Sequence, residues 1–376
     1  MPSRKEEYMH IDIIKKTESL IKETFDNTVP QDGILKSYKL QLPEYVKIAY
    51  FAPFQFCGGA EPPMNNWPDG TNRCNTLVAE NGVDINTNGL FLMLLLPDGR
   101  SLAVLPTCDG DVMSWLSCKN GEFILNTGTF GKGSVSGAMS ICSWAVAESG
   151  WQAAKKVWEL CFADEKIGNN ILPLAQKHYP EMYKYLGWCS WEEFKKDIDQ
   201  DKLTGLIAEM EKSKVPVRYV LIDDGYLTEE NDQLIGVEPD AEKFPDGWQA
   251  IMNSRKTDKI KWMGLWLNFN GYWNGIHPDN NLDIAPHLEK LSFNKIWTVD
   301  EELDGLMPGA APEAPEMFYR KVVGYAKESG FSFVKVDNQA RNIRLYANTD
   351  YPVSRSLNTA LALEKVCDES GMGLSN

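Results

Sequence analysis

The sequence predicts an N-terminal antiparallel β-sandwich followed by a (β/α)8 barrel that is only partly contained in the chain. Three observations support this fold class: short apolar runs broken by turn residues in the first part, alternating strands and helices in the second, and polar residues where buried strands end. We assign residues 1–150 to the sandwich, 151–184 to a helical linker and 185–376 to the N-terminal part of the barrel.

The first part of the chain has the pattern of short β-strands. Between residues 34 and 139, apolar runs are separated by Gly, Asn, Asp and Pro, and no helical periodicity is visible. Strands at this spacing are typical of an antiparallel sandwich. The segment 65–70 is predicted to be a long turn whose Trp67 packs on its own domain. The predicted strands cover residues 46–56, 89–96, 102–105 and 122–125.

The linker begins with an amphipathic pattern. Its apolar residues repeat every three or four positions, which predicts one face of a helix that bridges the two regions. The residues of this face are Trp151, Ala154, Val157, Trp158 and Cys161.

From Tyr185 onwards, predicted strands alternate with predicted helices. This order requires right-handed crossovers and produces a parallel sheet. The helices are indicated by residues 203–210, by residues 319–326 with a stop at Gly330, and by residues 355–371. The strands are predicted near Tyr185, Tyr219, Trp262 and Phe333 and at residues 372–376.

The predicted barrel strands are fewer than the eight of a closed barrel: we recognise about five of them. Either the chain is a fragment of a longer protein, or the sheet is open. We favour the fragment, because a parallel edge exposed at the last residue of a chain would be poorly protected.

Composition limits the partners. The chain has 376 residues, of which 53 are acidic and 38 basic, and the net charge of -15 argues against nucleic acid or an anionic membrane as a partner. No apolar run reaches the roughly 18 residues of a spanning helix, and the N-terminus has no apolar core of a signal peptide. We therefore expect a cytoplasmic protein that binds small neutral molecules, and we leave open whether it forms a homo-oligomer.

Cysteine and histidine patterns argue against a metal site. The eight cysteines are scattered without a Cys-x-x-Cys pair, so we expect reduced thiols. None of the four histidines stands at metal-ligand spacing with another histidine or a cysteine.

Polar and aromatic residues follow three of the predicted barrel strands. Lys335 and Asp337 lie at the end of one strand, Asp223 and Asp224 follow another, and Trp273 follows a third. The carboxyl ends of barrel strands form one face, so carboxylates and indoles are predicted to gather there. This combination suggests a sugar as ligand.

Asp337 is the strongest catalytic candidate. The ammonium group of Lys335, two residues before it, would keep the carboxylate ionised, as a nucleophile requires. The alternative is a structural role, either in a buried ion pair or as a helix N-cap.

The other candidates also have two interpretations. Asp223 and Asp224 precede Gly225 and could simply shape a turn, or they could accept several hydroxyl hydrogen bonds from a sugar. Four tryptophans belong either to the core or to a sugar platform, and their clustering beside the carboxylates favours the platform. These are Trp188, Trp191, Trp266 and Trp273.

Four motifs resemble the raffinose synthase, seed imbibition protein and alkaline α-galactosidase group of glycoside hydrolase family 36. They are Gly-Trp-Cys-Ser-Trp at 187–191, Ile-Asp-Asp-Gly at 222–225, Gly-Tyr-Trp-Asn-Gly at 271–275 and Lys-Val-Asp-Asn-Gln at 335–339. The resemblance covers residues 185–376 in the family's order and is weaker in the sandwich region. It implies a sandwich followed by a (β/α)8 barrel, retention of configuration and an α-galactoside substrate.

The resemblance also implies roles for individual residues. Asp337 matches the nucleophile, and Asp223 and Asp224 match the pair that holds galactose hydroxyls. Lys335 matches a lysine that contacts both the sugar and the nucleophile. The aromatic positions around the sugar are matched by Trp191 and Trp266, and the same motifs add Trp188 and Trp273 as candidates for substrate binding.

The sequence also departs from the family pattern. The plant enzymes resemble Trp-His-Ala-Leu where this chain has Trp-Leu-Asn-Phe at 266–269, and Glu192 stands where they carry Asp. These changes leave the exact substrate open. The family's acid/base aspartate lies on a later strand, so we expect it beyond Asn376 and absent from the chain.

We therefore expect a retaining α-galactosidase that uses Asp337 as nucleophile and needs no cofactor. Two alternatives remain. One is galactosyl transfer of the raffinose synthase type, and the other is a non-catalytic sugar-binding protein with a degenerate site. The reading frame beyond Asn376 distinguishes them, because an aspartate on a later barrel strand would support an enzyme.

Overall fold

A computed structural model describes residues 8–13, 17–53, 74–80, 85, 88–169, 171–295, 301–339 and 342–375. The chain divides into two compact units, one of residues 1–177 and 349–354 and the other of residues 178–348 and 355–376. The predicted turn at 65–70 lies outside the described residues. Within the described ranges, no helix combines the length and the apolar character that a membrane span requires.

The first unit consists mainly of β-strands. In chain order they are β1 (Met9–Asp12), β2 (Glu18–Thr28), β3 (Ile34–Gln41), β4 (Lys47–Pro53), β5 (Cys74–Ala79), β6 (Asn88–Gly89), β7 (Phe91–Leu95), β8 (Ser101–Pro106), β9 (Cys108–Asp109), β10 (Val112–Lys119), β11 (Glu122–Gly128) and β12 (Val135–Ala147).

These strands form two sheets that share one core, as a sandwich requires. One sheet has the order β1-β3-β11-β10-β6 with β9 paired to β10, and the other has the order β2-β12-β8-β7-β4-β5. Leu40 and Leu125 from the first sheet join Phe25, Leu92 and Trp144 from the second in that core. The predicted sandwich is confirmed, with one exception to its antiparallel pairing: β1 runs parallel to β3.

Strand β8 contains the predicted strand at 102–105, which is a continuous apolar run because both of its faces are buried. Leu102 and Val104 face the sandwich core. Ala103 and Leu105 point the other way and pack under a helix. Because both faces are covered, neither set of positions needs to be polar.

The covering helix is α1 (Gly150–Phe162), which begins after Ser149, whose side chain accepts a hydrogen bond from the Gln152 N–H. A short helix, α2 (Glu165–Gly168), follows it. The buried face of α1 consists of Ala153, Val157 and Cys161. The predicted face was wrong for two tryptophans, since Trp151 is 89% exposed and Trp158 is 45% exposed.

The physical reason for this difference is the surface on which α1 packs. It is made largely of small residues, including Ala103, Ala145 and Ala147, and small helix residues allow the closest approach to it. The helix therefore packs on the sandwich of the first unit through its small side chains.

The second unit alternates strands and helices. Its strands are β13 (Gly187–Cys189), β14 (Tyr219–Ile222), β15 (Leu227–Glu230), β16 (Gln233–Pro239), β17 (Trp262–Asn268), β18 (Leu288–Asn294), β19 (Glu302–Pro308), β20 (Phe333–Asp337) and β21 (Gly373–Ser375). Its α-helices are α3 (Ser190–Phe194), α4 (Gln200–Lys212), α5 (Gly247–Ser254), α6 (Ala314–Glu328), α7 (Asn342–Leu345) and α8 (Pro352–Ser370). Short 3₁₀ turns lie at Glu181–Lys184 and Ala285–His287, and another at Leu174–Gln176 belongs to the first unit.

Five of these strands form one parallel sheet, in the order β13-β14-β17-β20-β21. The order in the sheet follows the order in the chain, and helices lie between successive strands, as predicted for a barrel wall. Closure into a barrel of eight strands stays a prediction.

The two faces of this sheet have different neighbours. Val220, Ile222 and Val334 lie in the large core that also contains Leu203 of α4 and Phe318 of α6. Tyr219, Leu221 and Phe333 point to the opposite face and pack with Met182 and Trp262. This alternation is the period of two that a strand imposes.

Two β-hairpins are inserted after the strands of the sheet. β15 and β16 form one hairpin after β14, and β18 and β19 form another after β17. Ile276 connects them, because it forms isolated bridges to Leu234 of β16 and to Leu306 of β19. Both hairpins therefore extend from the carboxyl end of the sheet.

Gly264 of β17 offers a test of the packing on the face opposite the helices. A Cβ atom at this position would lie 2.1 Å from the Phe333 ring, which is itself packed edge-on against Tyr183 and Tyr219. We expect Gly264→Ala to lower the free energy of unfolding by about 1–3 kcal/mol through overpacking. Thermal unfolding followed by circular dichroism measures the change.

Gly205→Ala is the matched control. Gly205 lies in α4, and a Cβ there meets nothing within 4 Å. The same substitution should therefore stabilise the protein by roughly 1 kcal/mol through helix propensity. Equal effects of the two substitutions would contradict the packing described for Phe333.

Candidate active site

The predicted site residues gather at the carboxyl ends of β13, β14, β17 and β20. Strand register brings this about, because Trp266 stands opposite Lys335 and Asn268 opposite Asp337. Seven of the eight predicted residues lie on these strands or within two residues of their ends, and Trp273 lies in the loop after β17, five residues beyond Asn268. Their proximity follows from the parallel sheet, while their roles in binding and catalysis stay predictions.

Asp337 is the last residue of β20 and is partly exposed. Its Oδ1 accepts the backbone N–H of Asn338 at 2.8 Å, and its Oδ2 lies 3.5 Å from the Trp266 Nε1. The ammonium group of Lys335 makes its ion pair with Asp223, at 2.7 Å, and not with Asp337. The predicted ion pair therefore exists with a different carboxylate, and Asp337 receives hydrogen bonds from neutral donors.

Asp223 is almost completely buried, and both of its carboxylate oxygens accept hydrogen bonds from the protein. Its Oδ2 accepts from Lys335 Nζ at 2.7 Å and from the Cys189 thiol at 3.2 Å. Its Oδ1 accepts the backbone N–H of Asp224 at 2.9 Å, and its own N–H donates to Ser190 Oγ at 2.8 Å. Burial raises the pKa of Cys189 to about 11, so this thiol stays protonated and acts as a donor.

Asp224 is equally buried but faces another set of donors. Its Oδ1 accepts the Tyr272 hydroxyl at 2.8 Å, and its Oδ2 lies 3.4 Å from Trp273 Nε1 and 3.8 Å from Lys196 Nζ. Burial raises the pKa of Asp224, and Lys196 and Tyr272 oppose that rise. The Asp-Asp pair therefore consists of two carboxylates with separate partners, which is more than a turn requires.

The four tryptophans differ in exposure. Trp266 is 1% exposed and packs against Trp273, with ring centroids 6.1 Å apart. Trp188 is half-buried and packs edge-on against Phe194. Trp191 is also half-buried, and the ammonium group of Lys195 lies 5.2 Å from its ring centroid. Trp266 is thus a core residue that contributes its indole N–H, whereas the half-buried rings retain exposed surface.

Three asparagines near Asp337 were not predicted as site residues: Asn268, Asn270 and Asn338. Asn338 has a positive φ of 75°. Its side chain donates to Asn268 Oδ1 at 3.2 Å, and its carbonyl accepts from Asn270 Nδ2 at 3.4 Å. These contacts hold Asn338 so that its N–H points at Asp337. In this part of the described chain, Asn268 Nδ2 and Asn270 Oδ1 are buried without a hydrogen-bond partner.

The loop that carries Tyr272 and Trp273 is fixed by the two hairpins. The side-chain amide of Gln233, at the start of β16, donates to the carbonyls of Asn274 and of Asp304 in β19, at 3.2 and 3.0 Å. The N–H of Asn274 also donates to the carbonyl of Asp232 in the first hairpin turn. The loop thus presents its two ring donors to the Asp-Asp pair from a fixed position.

Sequence reasoning missed several of these residues. Tyr272 and Asn338 stand within the motifs at 271–275 and 335–339, so the family resemblance was the signal that could have identified them. Lys196 and Gln233 lie outside every motif and gave no sequence signal. Across the described residues, no three His, Cys, Asp or Glu side chains are grouped in a way that could hold a metal ion.

Comparison with known families identifies the group to which part of the chain is similar. Residues 77–245 match the family model described as "Raffinose synthase or seed imbibition protein Sip1". The resemblance to the raffinose synthase group is confirmed. The match covers strands β6 to β12 of the sandwich and the first two strands of the parallel sheet, and it ends before Trp266, Lys335 and Asp337.

Curated relatives of the same group come from Arabidopsis thaliana. Probable galactinol–sucrose galactosyltransferase 6 is 27% identical in an alignment 199 positions long, which covers 46% of this chain and 26% of the relative. Probable galactinol–sucrose galactosyltransferase 5 is 23% identical in an alignment 209 positions long, which covers 45% of this chain and 26% of the relative. The alignments thus span about a quarter of the length of these relatives.

Solved structures of α-galactosidases, including members of glycoside hydrolase family 36, share the fold. The galactosidase domain of the α-galactosidase–sucrose kinase AgaSK has a TM-score of 0.53 at 11% identity, covering 91% of this chain and 47% of that one. The α-galactosidase AgaB of Geobacillus stearothermophilus has a TM-score of 0.52 at 12% identity, covering 91% and 48%. A doubly substituted AgaA of the same organism, solved with stachyose, has a TM-score of 0.51 at 12% identity, covering 91% and 49%. The likeness supports a sandwich followed by a barrel-type sheet.

Asn338 provides a test of the geometry behind Asp337. Its φ of 75° is easy for glycine but strained for alanine. We expect Asn338→Ala to have a free energy of unfolding about 1 kcal/mol lower than Asn338→Gly, because both lose the same side-chain hydrogen bond and differ in backbone strain. Urea unfolding measures the difference, and equal stabilities would contradict the left-handed conformation.

Proposed function

We propose that the chain carries the nucleophile of a retaining glycosidase that acts on α-galactosides. The observation on which this rests is the position of Asp337, partly exposed at the end of β20 and on the same edge of the sheet as the buried pair Asp223 and Asp224. A retaining glycosidase needs a carboxylate that can reach the anomeric carbon, and the exposed surface of Asp337 allows this.

In the proposed first step, Asp337 attacks the anomeric carbon while the bond to the leaving oxygen breaks, which gives a glycosyl-enzyme. The leaving oxygen takes a proton from a second carboxyl group. Water then attacks the same carbon, returns a proton to that group and releases Asp337. We do not assign the second carboxyl group to Asp223 or Asp224, because Lys335 and Tyr272 already bind their oxygens.

Hydrogen bonding at Asp337 suits this role. The Asn338 N–H and the Trp266 Nε1 are neutral donors, so they orient the carboxylate without the strong stabilisation that a direct ammonium partner would give. A carboxylate held in this way keeps more of its nucleophilic character than one in a tight ion pair.

The Asp-Asp pair is proposed to bind sugar hydroxyls. Each carboxylate oxygen has two acceptor positions, so Asp223 and Asp224 retain some acceptor capacity beside their protein donors. The half-buried rings of Trp191 and Trp273 could contact the apolar face of a sugar. Structures of family 36 enzymes with stachyose and raffinose support a neutral oligosaccharide as the ligand class.

A second candidate function is galactosyl transfer. It is favoured by the names of the relatives, which are probable galactinol–sucrose galactosyltransferases. Transfer shares the first step with hydrolysis, and the difference is whether a sugar hydroxyl or water attacks the glycosyl-enzyme. Adding sucrose to a reaction with an aryl α-galactoside distinguishes the two by the share of galactose found in a new oligosaccharide.

Asp337→Asn tests the proposed nucleophile. The substitution is nearly isosteric but removes the attacking oxygen's charge, so hydrolysis of an activated aryl α-galactoside should fall by several decades. Asp201→Asn, at an exposed position in α4, is the control and should keep wild-type activity. Retention of more than about a tenth of the rate by Asp337→Asn would be incompatible with a covalent step at this residue.

Substitution of the pair tests the binding role. Asp223→Ala and Asp224→Ala should each weaken galactose binding by roughly 1.5–3 kcal/mol, the value of a hydrogen bond to a charged acceptor. Isothermal titration calorimetry gives the affinity, and circular dichroism checks that the variants are folded. Unchanged affinity in both variants would mean that the pair has a structural role. Weakened binding in both variants, together with no hydrolysis by the wild type, would favour the sugar-binding protein.

A further inference from the structure

Each carboxylate of the Asp-Asp pair has its own lysine. Asp223 has Lys335 at 2.7 Å, from β20. Asp224 has Lys196 at 3.8 Å, from the segment between α3 and α4. Both carboxylates are only 3% exposed in their side chains, whereas the side chain of Lys196 is 47% exposed. Lys196 thus brings a charge from the surface to a carboxylate that is almost completely buried.

The backbone of Lys196 is fixed directly beside the pair. A Cβ atom on Gly225, the residue after Asp224, would lie 2.7 Å from Lys196 Cα, so the two backbones are in close contact. The ammonium group of Lys243 joins them by donating to the carbonyl of Gly225 at 2.7 Å and to that of Lys196 at 3.3 Å. Gly225 has a positive φ of 120°, which also favours glycine at this contact.

The side chain of Lys196 is directed by an aromatic ring. Its ammonium group lies 5.0 Å from the ring centroid of Tyr272, the residue whose hydroxyl donates to Asp224. A cation over a tyrosine ring is attracted by the ring's quadrupole. The phenol and the ammonium group therefore approach Asp224 together, and each limits the freedom of the other.

The charges around Asp224 leave Lys196 as its closest cation. Burial raises the pKa of Asp224, and the Coulomb attraction of Lys196 is the largest influence that lowers it. Tyr226 and Tyr272 face Asp224 as neutral phenols, since burial raises the pKa of both. The remaining charges near it are Asp223, whose ammonium partner is Lys335, Lys243, which binds backbone carbonyls, and Glu229 and Asp232, which act on Tyr272.

We propose that Lys196 is a positioning residue that favours the ionised form of Asp224, so that the Asp-Asp pair accepts two sugar hydroxyls down to a lower pH than it would without this lysine. The use of the pair for sugar rests on the proposed function. A protonated Asp224 would present a donor where the ligand needs an acceptor. A bound sugar excludes water and strengthens the attraction between Lys196 and Asp224, so the lysine matters most in the complex.

The variants follow from the contacts. Lys196→Met removes the ammonium group and keeps the length of the side chain, and Lys196→Arg restores a cation. Lys195→Met is the matched control, because Lys195 is the neighbouring lysine but pairs with Glu192 at 3.3 Å and lies over Trp191. All variants are made in the full chain, and circular dichroism confirms that they fold.

The first measurement determines the titration midpoint of the Asp224 carboxyl group in the absence of sugar. Protein labelled with ¹³C at aspartate carboxyl carbons is titrated by NMR, and the Asp224 signal is assigned by its loss in Asp224→Asn. Lys196→Met should raise the midpoint of Asp224 by about one pH unit, the lower end of the effect of an adjacent opposite charge. Lys195→Met should leave the midpoint unchanged, and Lys196→Arg should restore most of it.

The second measurement follows galactose affinity with pH. Affinity that needs ionised Asp224 is present above its midpoint and is lost as the pH falls. Lys196→Met should therefore bind galactose about tenfold more weakly than wild type below the wild-type midpoint, and equally well far above both midpoints. In an Asp224→Asn background, Lys196→Met should have no further effect on affinity.

Three results would overturn the proposal. One is an unchanged Asp224 midpoint in Lys196→Met, and another is an equal rise in Lys195→Met, which would indicate a general charge effect. The third is an affinity loss in Lys196→Met that persists at every pH, which would indicate a direct or structural contact. A raised midpoint with no galactose binding in wild type would instead support Lys196 as the ionising partner and contradict the proposed function.

Discussion

The ion pair between Lys335 and Asp223 is the interaction on which the rest of the site depends. It links β20 to β14 across the intervening strand β17, so it joins two strands that do not share a backbone hydrogen bond. A carboxylate as deeply buried as Asp223 has lost most of its hydration, and a cation and hydrogen-bond donors must compensate that loss. The parallel sheet therefore places both side chains at one edge, and their ion pair compensates the burial of Asp223.

Much of the fold could be predicted from periodicity. Short apolar runs indicated the sandwich, and strand–helix alternation indicated the parallel sheet, because both patterns report which side of an element is buried. The face of α1 could not be predicted in this way. Periodicity identifies an apolar stripe on a helix but not the size of the side chains on which the stripe packs. The small residues of β8 and β12 pack against Ala153, and Trp151 is left exposed.

The site was predictable where a residue stands at the end of a strand. Asp337, Asp223 and Asp224 could be found because strand ends converge on one face. The hydrogen-bond and ion-pair partners of these residues could not be predicted. The partner of Lys335, for example, is a side chain from β14, on the far side of β17. Lys196 and Gln233 come from loops and hairpins, whose positions depend on contacts far apart in the chain and leave no local pattern.

Asp223 and Asp337 share one local feature: each accepts the backbone N–H of the residue that follows it, at 2.9 and 2.8 Å. Each side-chain torsion is thereby selected by the chain's own backbone before any ligand arrives. Immobilising a flexible side chain costs roughly 0.5–1.5 kcal/mol when it happens on binding. For these two carboxylates the loss of side-chain entropy occurs when the protein folds. Ligand binding therefore requires little further loss of side-chain entropy from them.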